Sequence, residues 1–241
     1  MVISIKKISF WNRTSVREIS MKILVYIILS LGAIFFLFPF FWMVSTSLKP
    51  STQVLLWPPK WIPEPIMWRN YLDAWQLAPT GLFFKNTFFY VITVTIGSVI
   101  SCSLVAFGFA RLRFRGRNIL FFILLGTLMI PQQVVMIPRY ILFSYLGWIN
   151  TYKPLVIPAY FGAPFFIFLL RQFLMTIPRE LDDAAKIDGC GWLGIFWRIT
   201  IPLEKPALGI IAIFSFTWTW NDFMNPLIYL NDIEKLSLIH I

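Results

Sequence analysis

From Ile23 to Leu48 the chain carries no charged residue. Those 26 positions exceed the run of about 20 apolar residues that a helix needs to cross a bilayer core about 30 Å thick. In lipid the backbone must satisfy its own hydrogen bonds, so such a run has to be helical. It is too long for a signal-peptide core and lacks a small-residue cleavage site, so it reads as a retained anchor. Pro39 inside it predicts a kink.

The pattern recurs. Residues 86–110 and 118–138 are uncharged, as are residues 154–170. Pro131 and Pro138 predict an irregular outer end for the second of these runs. Arg171 can snorkel at the inner end of the 154–170 run. A fifth run extends from Pro206 to about Tyr229, interrupted by Asp222. Only 13% of the residues are charged, against about a quarter in soluble domains. The chain therefore reads as an all-α integral membrane protein with five spans and lipid as a partner.

Basic residues set the orientation. With the N-terminus inside, residues 1–22 and the loops 111–117 and 171–205 hold 14 of the 21 Lys and Arg, and the outer segments hold 7. Arg111, Arg113, Arg115 and Arg117 thus read as a cytoplasmic positive-inside loop, not as a nucleic-acid patch, although the net charge is +10. The domain plan is a basic N-terminus (1–22), a first span (23–48), an external loop (49–82) and a core (83–241). The external loop is proline-rich and contains Trp57, Trp61, Trp68 and Trp75. It reads equally as a surface resting on lipid or as a docking surface for an outside partner.

Enzyme chemistry finds no residues. Cys102 lies in an apolar run and Cys190 in a polar loop, which predicts no disulfide and no metal site. The single histidine, His240, is near the end of the chain. No G-x-x-x-x-G-K-[ST] phosphate loop occurs, so the chain carries no ATPase motor of its own and no cofactor is expected in it.

The polar loop from Pro178 to Pro202 organises the second half. Glu180, Asp182 and Asp183 favour the first turn of a short helix, and Gly189 supplies its stop. Leu181, Ala184, Ala185 and Asp188 share helical spacing and predict one small, nearly flat face. Trp192, Ile195, Phe196 and Ile199 predict a second short helix ending before Pro202. Periodicity alone allows two readings, a helix docking into a partner's groove or an amphipathic loop on the membrane surface.

The stretch resembles the EAA loop of permease subunits in binding-protein-dependent ABC importers. Asp183-Ala184-Ala185, Gly189 and Ile199-Thr200-Ile201-Pro202 have that pattern's gaps, with Asp for Glu at 183 and Ile for Leu at 201. Ser47-Leu48-Lys49-Pro50, Asn70-Tyr71, Gly147-Trp148-Ile149-Asn150-Thr151 and Trp220-Asn221-Asp222-Phe223 are similar to its other recurring segments. The likeness is to the carbohydrate-importing branch, in particular the smaller six-span subunit of maltose-type systems. It implies a MetI-like helical bundle in a prokaryotic inner membrane. It also implies a sister permease, two ATPase subunits that use the ATP, and an external solute-binding protein. The coupling residues it implies are Glu180, Asp183, Ala184, Ala185, Asp188, Gly189 and Pro202. A polyol or glycerol phosphate permease fits the loop as well; an ion-driven secondary transporter fits poorly, since no convincing repeat is present.

Ser215, Trp218, Asn221, Asp222 and Asn225 recur at helical spacing in the fifth run. From Pro206 to Asp222 is about 24 Å of helix, which puts an acid toward the outer part of the core, where it is a site candidate. Two readings follow: an indole, amides and a carboxylate binding a sugar, or polar packing against a neighbouring helix. Finally, too little chain follows Asp222 for a sixth span, so the resemblance leads to the expectation that the family's sixth helix is missing from a fragment, with the C-terminus outside.

Overall fold

The computed structural model describes residues 16–240; Lys6, Lys7 and Arg13 of the basic N-terminus lie outside the described residues. The chain forms two compact units, up to Gln76 and from Leu77. Among the described residues four helical stretches are long and apolar enough to cross a membrane, or five if one bent pair counts as a span.

In the first unit, α1 (Val16–Ser47) runs as helix through Pro39. The short α2 (Ser51–Val54) follows, and later α3 (Arg69–Leu77). The intervening chain folds back on the end of α1. Asn70 Nδ2 donates to the carbonyls of Ser47 (2.9 Å) and Lys49 (2.8 Å), satisfying groups that a helix end leaves open. Lys49 is buried with its ammonium 3.9 Å from the Trp42 ring centroid. Trp61 meets Phe38 and Trp42 edge-on. The segments around Ser47 and Asn70 are thus partners in one helix-terminating turn.

The second unit is built around α4 (Thr80–Arg111). Its buried face is lined by small residues, among them Gly97, Ser98, Ser101 and Cys102. These let other chain segments come close: a Cβ on Gly97 would lie 2.7 Å from the Tyr160 ring. The 118–138 run proves to be two helices, α5 (Arg117–Gly126) and α6 (Gln132–Tyr145), meeting at 100° after a 3-10 turn. Pro131 makes the break, because it pushes Ile130 into the extended region and offers no N–H. Pro138 lies inside α6 without ending it, and the helix continues to Tyr145.

The next span, Lys153–Thr176, is also broken. The short α7 (Lys153–Val156) passes through a 3-10 turn (Ile157–Phe161) and Gly162 at φ +86° into α8 (Pro164–Thr176). Irregular backbone at membrane depth must be buried in protein and bonded. Here α4 does this: Ser101 Oγ donates to Ala159 O (2.9 Å) and Ala163 N–H donates to Cys102 Sγ (3.2 Å).

The polar loop forms α9 (Glu180–Ile187) as the sequence predicts. The second short helix does not stand alone. Helix α10 (Trp192–Ile195) runs through a π-helical turn (Phe196–Thr200) into α11 (Ile201–Trp220). A wide π turn just ahead of Pro202 relieves the clash its ring would make in a tight α turn. The fifth span therefore starts at Trp192, well before Pro206, and ends at Trp220. A separate α12 (Met224–Tyr229) follows.

The chain after α12 packs onto the rest of the second unit. Asn150, at φ +61°, accepts the N–H groups of Asn231 and Asp232 on its side-chain oxygen (3.2 Å each). Asparagine tolerates this left-handed backbone better than most residues. Lys235 and Asn150 hold the Asp232 carboxyl below its ordinary value through hydrogen bonds.

Candidate functional site

Helix α9 ends in a hydrogen-bonded turn that depends on Gly189 at φ +82°. Cys190 N–H donates to Ala185 O (2.9 Å) and Gly189 N–H to Lys186 O (3.0 Å), the paired bonds of a Schellman stop. The helix sits against the end of α4 through two arginines. Arg111, the last residue of α4, faces Asp182 with Nε to Oδ2 at 3.2 Å, an ion pair off the line of a hydrogen bond. Its Nη1 donates to Ile177 O (3.2 Å). Arg179 Nη2 returns the contact by donating to Ala110 O (3.1 Å). The Arg111 and Asp182 side chains are 3% and 6% exposed. A buried charge without a partner is costly, so each requires the other.

This pairing changes the face expected of α9. Leu181, Ala184 and Asp188 are exposed, and only Ala185 of the four small-face residues is buried. The inward pair is Asp182 and Ala185, with Ala185 joining Ala110, Leu174 and Ile195 in the core. Glu180, Asp183, Ala184, Asp188 and Gly189 form the outward surface, and Pro202 is exposed in the first turn of α11. Asp183 pairs with Lys186 at 3.0 Å.

Beyond the end of α11, where Tyr90 of α4 reaches Asp222, lies a cleft of about 550 Å³. Trp218, Asn221, Asp222 and Asn225 line it together with Gln132. Ser215 is buried and does not contribute to its lining. The single-helix stripe is broken, because α11 stops before Asn221; Asp222 brings Asn225 back. Asp222 Oδ1 accepts the Asn225 N–H (3.2 Å), and Asn225 Nδ2 donates to both carboxylate oxygens (3.0 and 2.9 Å). Side-chain bonds of this kind compete with helix continuation. Tyr90 OH of α4 donates to Asp222 Oδ2 at 2.6 Å. Asp222 thus makes the interhelical polar contacts of the packing alternative while bordering the cleft. Trp218 stacks on Phe166 (5.2 Å, 13°) and remains about half exposed.

Sequence reasoning missed Arg111 with Asp182, Tyr90 with Asp222, and Gln132. It also missed Glu204, fully buried in α11, where it accepts a bond from Ser103 Oγ of α4 (3.3 Å). The first two pairs are 71 and 132 positions apart, and no local pattern links them. The one available signal was position: Tyr90 sits within an uncharged run and Arg111 at its end, where polar groups need partners.

A family model for the binding-protein-dependent transport system inner membrane component matches residues 100–236, from the middle of α4 to beyond α12. The chain belongs to this family. It is an ABC importer permease, a multi-pass membrane transport component. The probable ABC transporter permease protein YurM of Bacillus subtilis is 34% identical over 220 residues, 89% of this permease and 71% of the relative. AraQ of Halalkalibacterium halodurans, an arabinooligosaccharides transport system permease protein, is 34% identical over 206 residues, covering 83% of this permease and 73% of its own length. UgpE of Yersinia enterocolitica, an sn-glycerol-3-phosphate transport system permease protein, is 32% identical over 218 residues, with 88% and 77% covered. A solved bacterial ABC transporter involved in import of the acidic polysaccharide alginate has a chain that superposes with a TM-score of 0.83 at 25% identity. The match covers 96% of this permease and 81% of that chain. The family match takes in both the α9 clamp and the residues that line the cleft around Asp222.

Proposed function

We propose that this permease forms the translocation pathway of a sugar or oligosaccharide importer and couples it to separate ATPase subunits through the 178–202 loop. One observation carries the reading: a single helix, α4, holds both candidate sites. Its last residue, Arg111, clamps the coupling helix α9, and Tyr90 holds Asp222 at the far cleft. The 21 positions between them span about 32 Å of helix. A rigid element of that length lets displacement at one site reach the other.

In this reading Glu180, Asp183, Ala184, Asp188 and Gly189 meet the ATPase, Ala185 and Pro202 shape the loop, and ATP is used by the partners. A sister permease completes the pathway, and an outside binding protein delivers solute. The N-terminus is cytoplasmic. Trp218, Asn221 and Asn225 contact the solute, and Asp222 shapes the cleft. The names of AraQ and of the alginate importer support a carbohydrate. A phosphorylated polyol is the second reading, favoured by Arg139 on an adjoining cleft and by the name of UgpE.

The test is uptake by the assembled transporter in proteoliposomes, with the binding protein's own ligand identified by mass spectrometry. ATP-dependent uptake of an oligosaccharide is expected. Uptake driven by an ion gradient without the ATPase would overturn the reading.

A further inference from the structure

We propose that this permease holds the phosphate of an anionic phospholipid between Arg113, Arg117 and Arg179. The three guanidiniums line a cleft of about 490 Å³ beside the turn from α4 to α5, and no carboxylate lines it. Among the described residues none of the three forms an ion pair; the nearby acids Asp182 and Asp183 are taken by Arg111 and Lys186.

Two of the three are fixed in place. Arg117 Nη1 donates to Leu112 O (3.2 Å), and Arg179 Nη2 donates to Ala110 O (3.1 Å). Each guanidinium has five N–H donors, so most remain available. Guanidinium forks match phosphate oxygens, and holding them in advance lowers the cost of ordering.

Depth selects a lipid. The uncharged stretch of α4 ends at Ala110 and the apolar run of α5 begins after Asn118, so the cleft lies where the chain leaves the membrane core. Exposed Phe114 and Ile119 give it an apolar rim suited to acyl chains. Arg179 directly precedes α9, so the cleft adjoins the proposed ATPase seat while Arg113, Arg117, Phe114 and Ile119 belong to the α4–α5 turn. The inference rests on the orientation proposed above, which puts the cleft at the cytoplasmic leaflet, where anionic lipids concentrate.

The experiment uses the assembled transporter in phosphatidylcholine vesicles containing a photoactivatable phosphatidylglycerol, with inorganic phosphate as competitor. Labelling of the 112–119 segment is expected, falling about tenfold in Arg113→Gln/Arg117→Gln, as loss of charge-assisted bonds requires. Arg115→Gln, in the same turn but outside the cleft lining, should stay within about twofold of the parent, since surface charges contribute little. Equal loss in Arg115→Gln would reduce the effect to diffuse charge and overturn the site. Suppression by millimolar phosphate would make it a free-anion site and overturn the lipid. Labelling that appears only after ATPase removal would assign the cleft to the partner protein instead. An Arg115→Cys thiol that reacts with an impermeant reagent from outside would overturn the orientation, separately from the cleft.

Discussion

Replacing Arg111 by Met tests whether the clamp holds α9 in place. Arg111 and Asp182 are both nearly inaccessible and 3.2 Å apart. Removing one partner leaves the other charge buried and uncompensated, a cost of about 3–5 kcal/mol. The double variant Arg111→Met/Asp182→Leu has no orphan charge, and replacing a buried pair by apolar groups is often close to neutral. It still loses the Arg111 donor to Ile177 O, about 1–2 kcal/mol. The double variant should therefore recover about 2–3 kcal/mol of the loss caused by Arg111→Met alone. The assay is reversible denaturant unfolding of the assembled transporter, with limited proteolysis across residues 178–191 as a local probe. Arg111→Met should expose that segment to cleavage, and the double variant should largely protect it again. A double-mutant cycle that is additive within about 0.5 kcal/mol, or a single variant costing under about 1 kcal/mol, would refute the reasoning.

Gly189→Val forces a β-branched residue into the left-handed turn, and Ala185→Trp overfills a buried position; both should abolish ATPase association while the protein still inserts in the membrane, as read by co-purification. Asp222→Ala and Trp218→Ala should reduce solute uptake at matched abundance more than Phe223→Ala, since Phe223 borders the same cleft but its ring, stacked on His240, offers no hydrogen bond; equal losses would favour a purely structural stripe. Gly97→Leu should destabilise the second unit by at least about 1–3 kcal/mol, because its Cβ alone would meet the Tyr160 ring at 2.7 Å; an unchanged thermal midpoint would contradict that packing.

The uncharged runs, the acidic first turn of α9 and its Gly189 stop were legible in the sequence, because each follows from local chemistry. An uncharged run of 26 positions has one stable form in lipid, and a glycine after an acidic turn has a preferred backbone. The breaks were only partly legible. Pro131 bends the chain while Pro138, Pro202 and Pro206 lie within helices, and a proline's effect depends on the packing around it. What only the tertiary structure decided is which polar groups meet. Nothing within a few residues of Asp182 turns it inward; the Arg111 guanidinium, buried 71 positions earlier in the chain, does. Nothing near Asp222 stops α11 alone; Tyr90 of α4 and Asn225 fix the carboxylate there. Local propensity selects helices, but a buried charge selects its partner across the fold, because leaving it alone costs more than any local preference supplies.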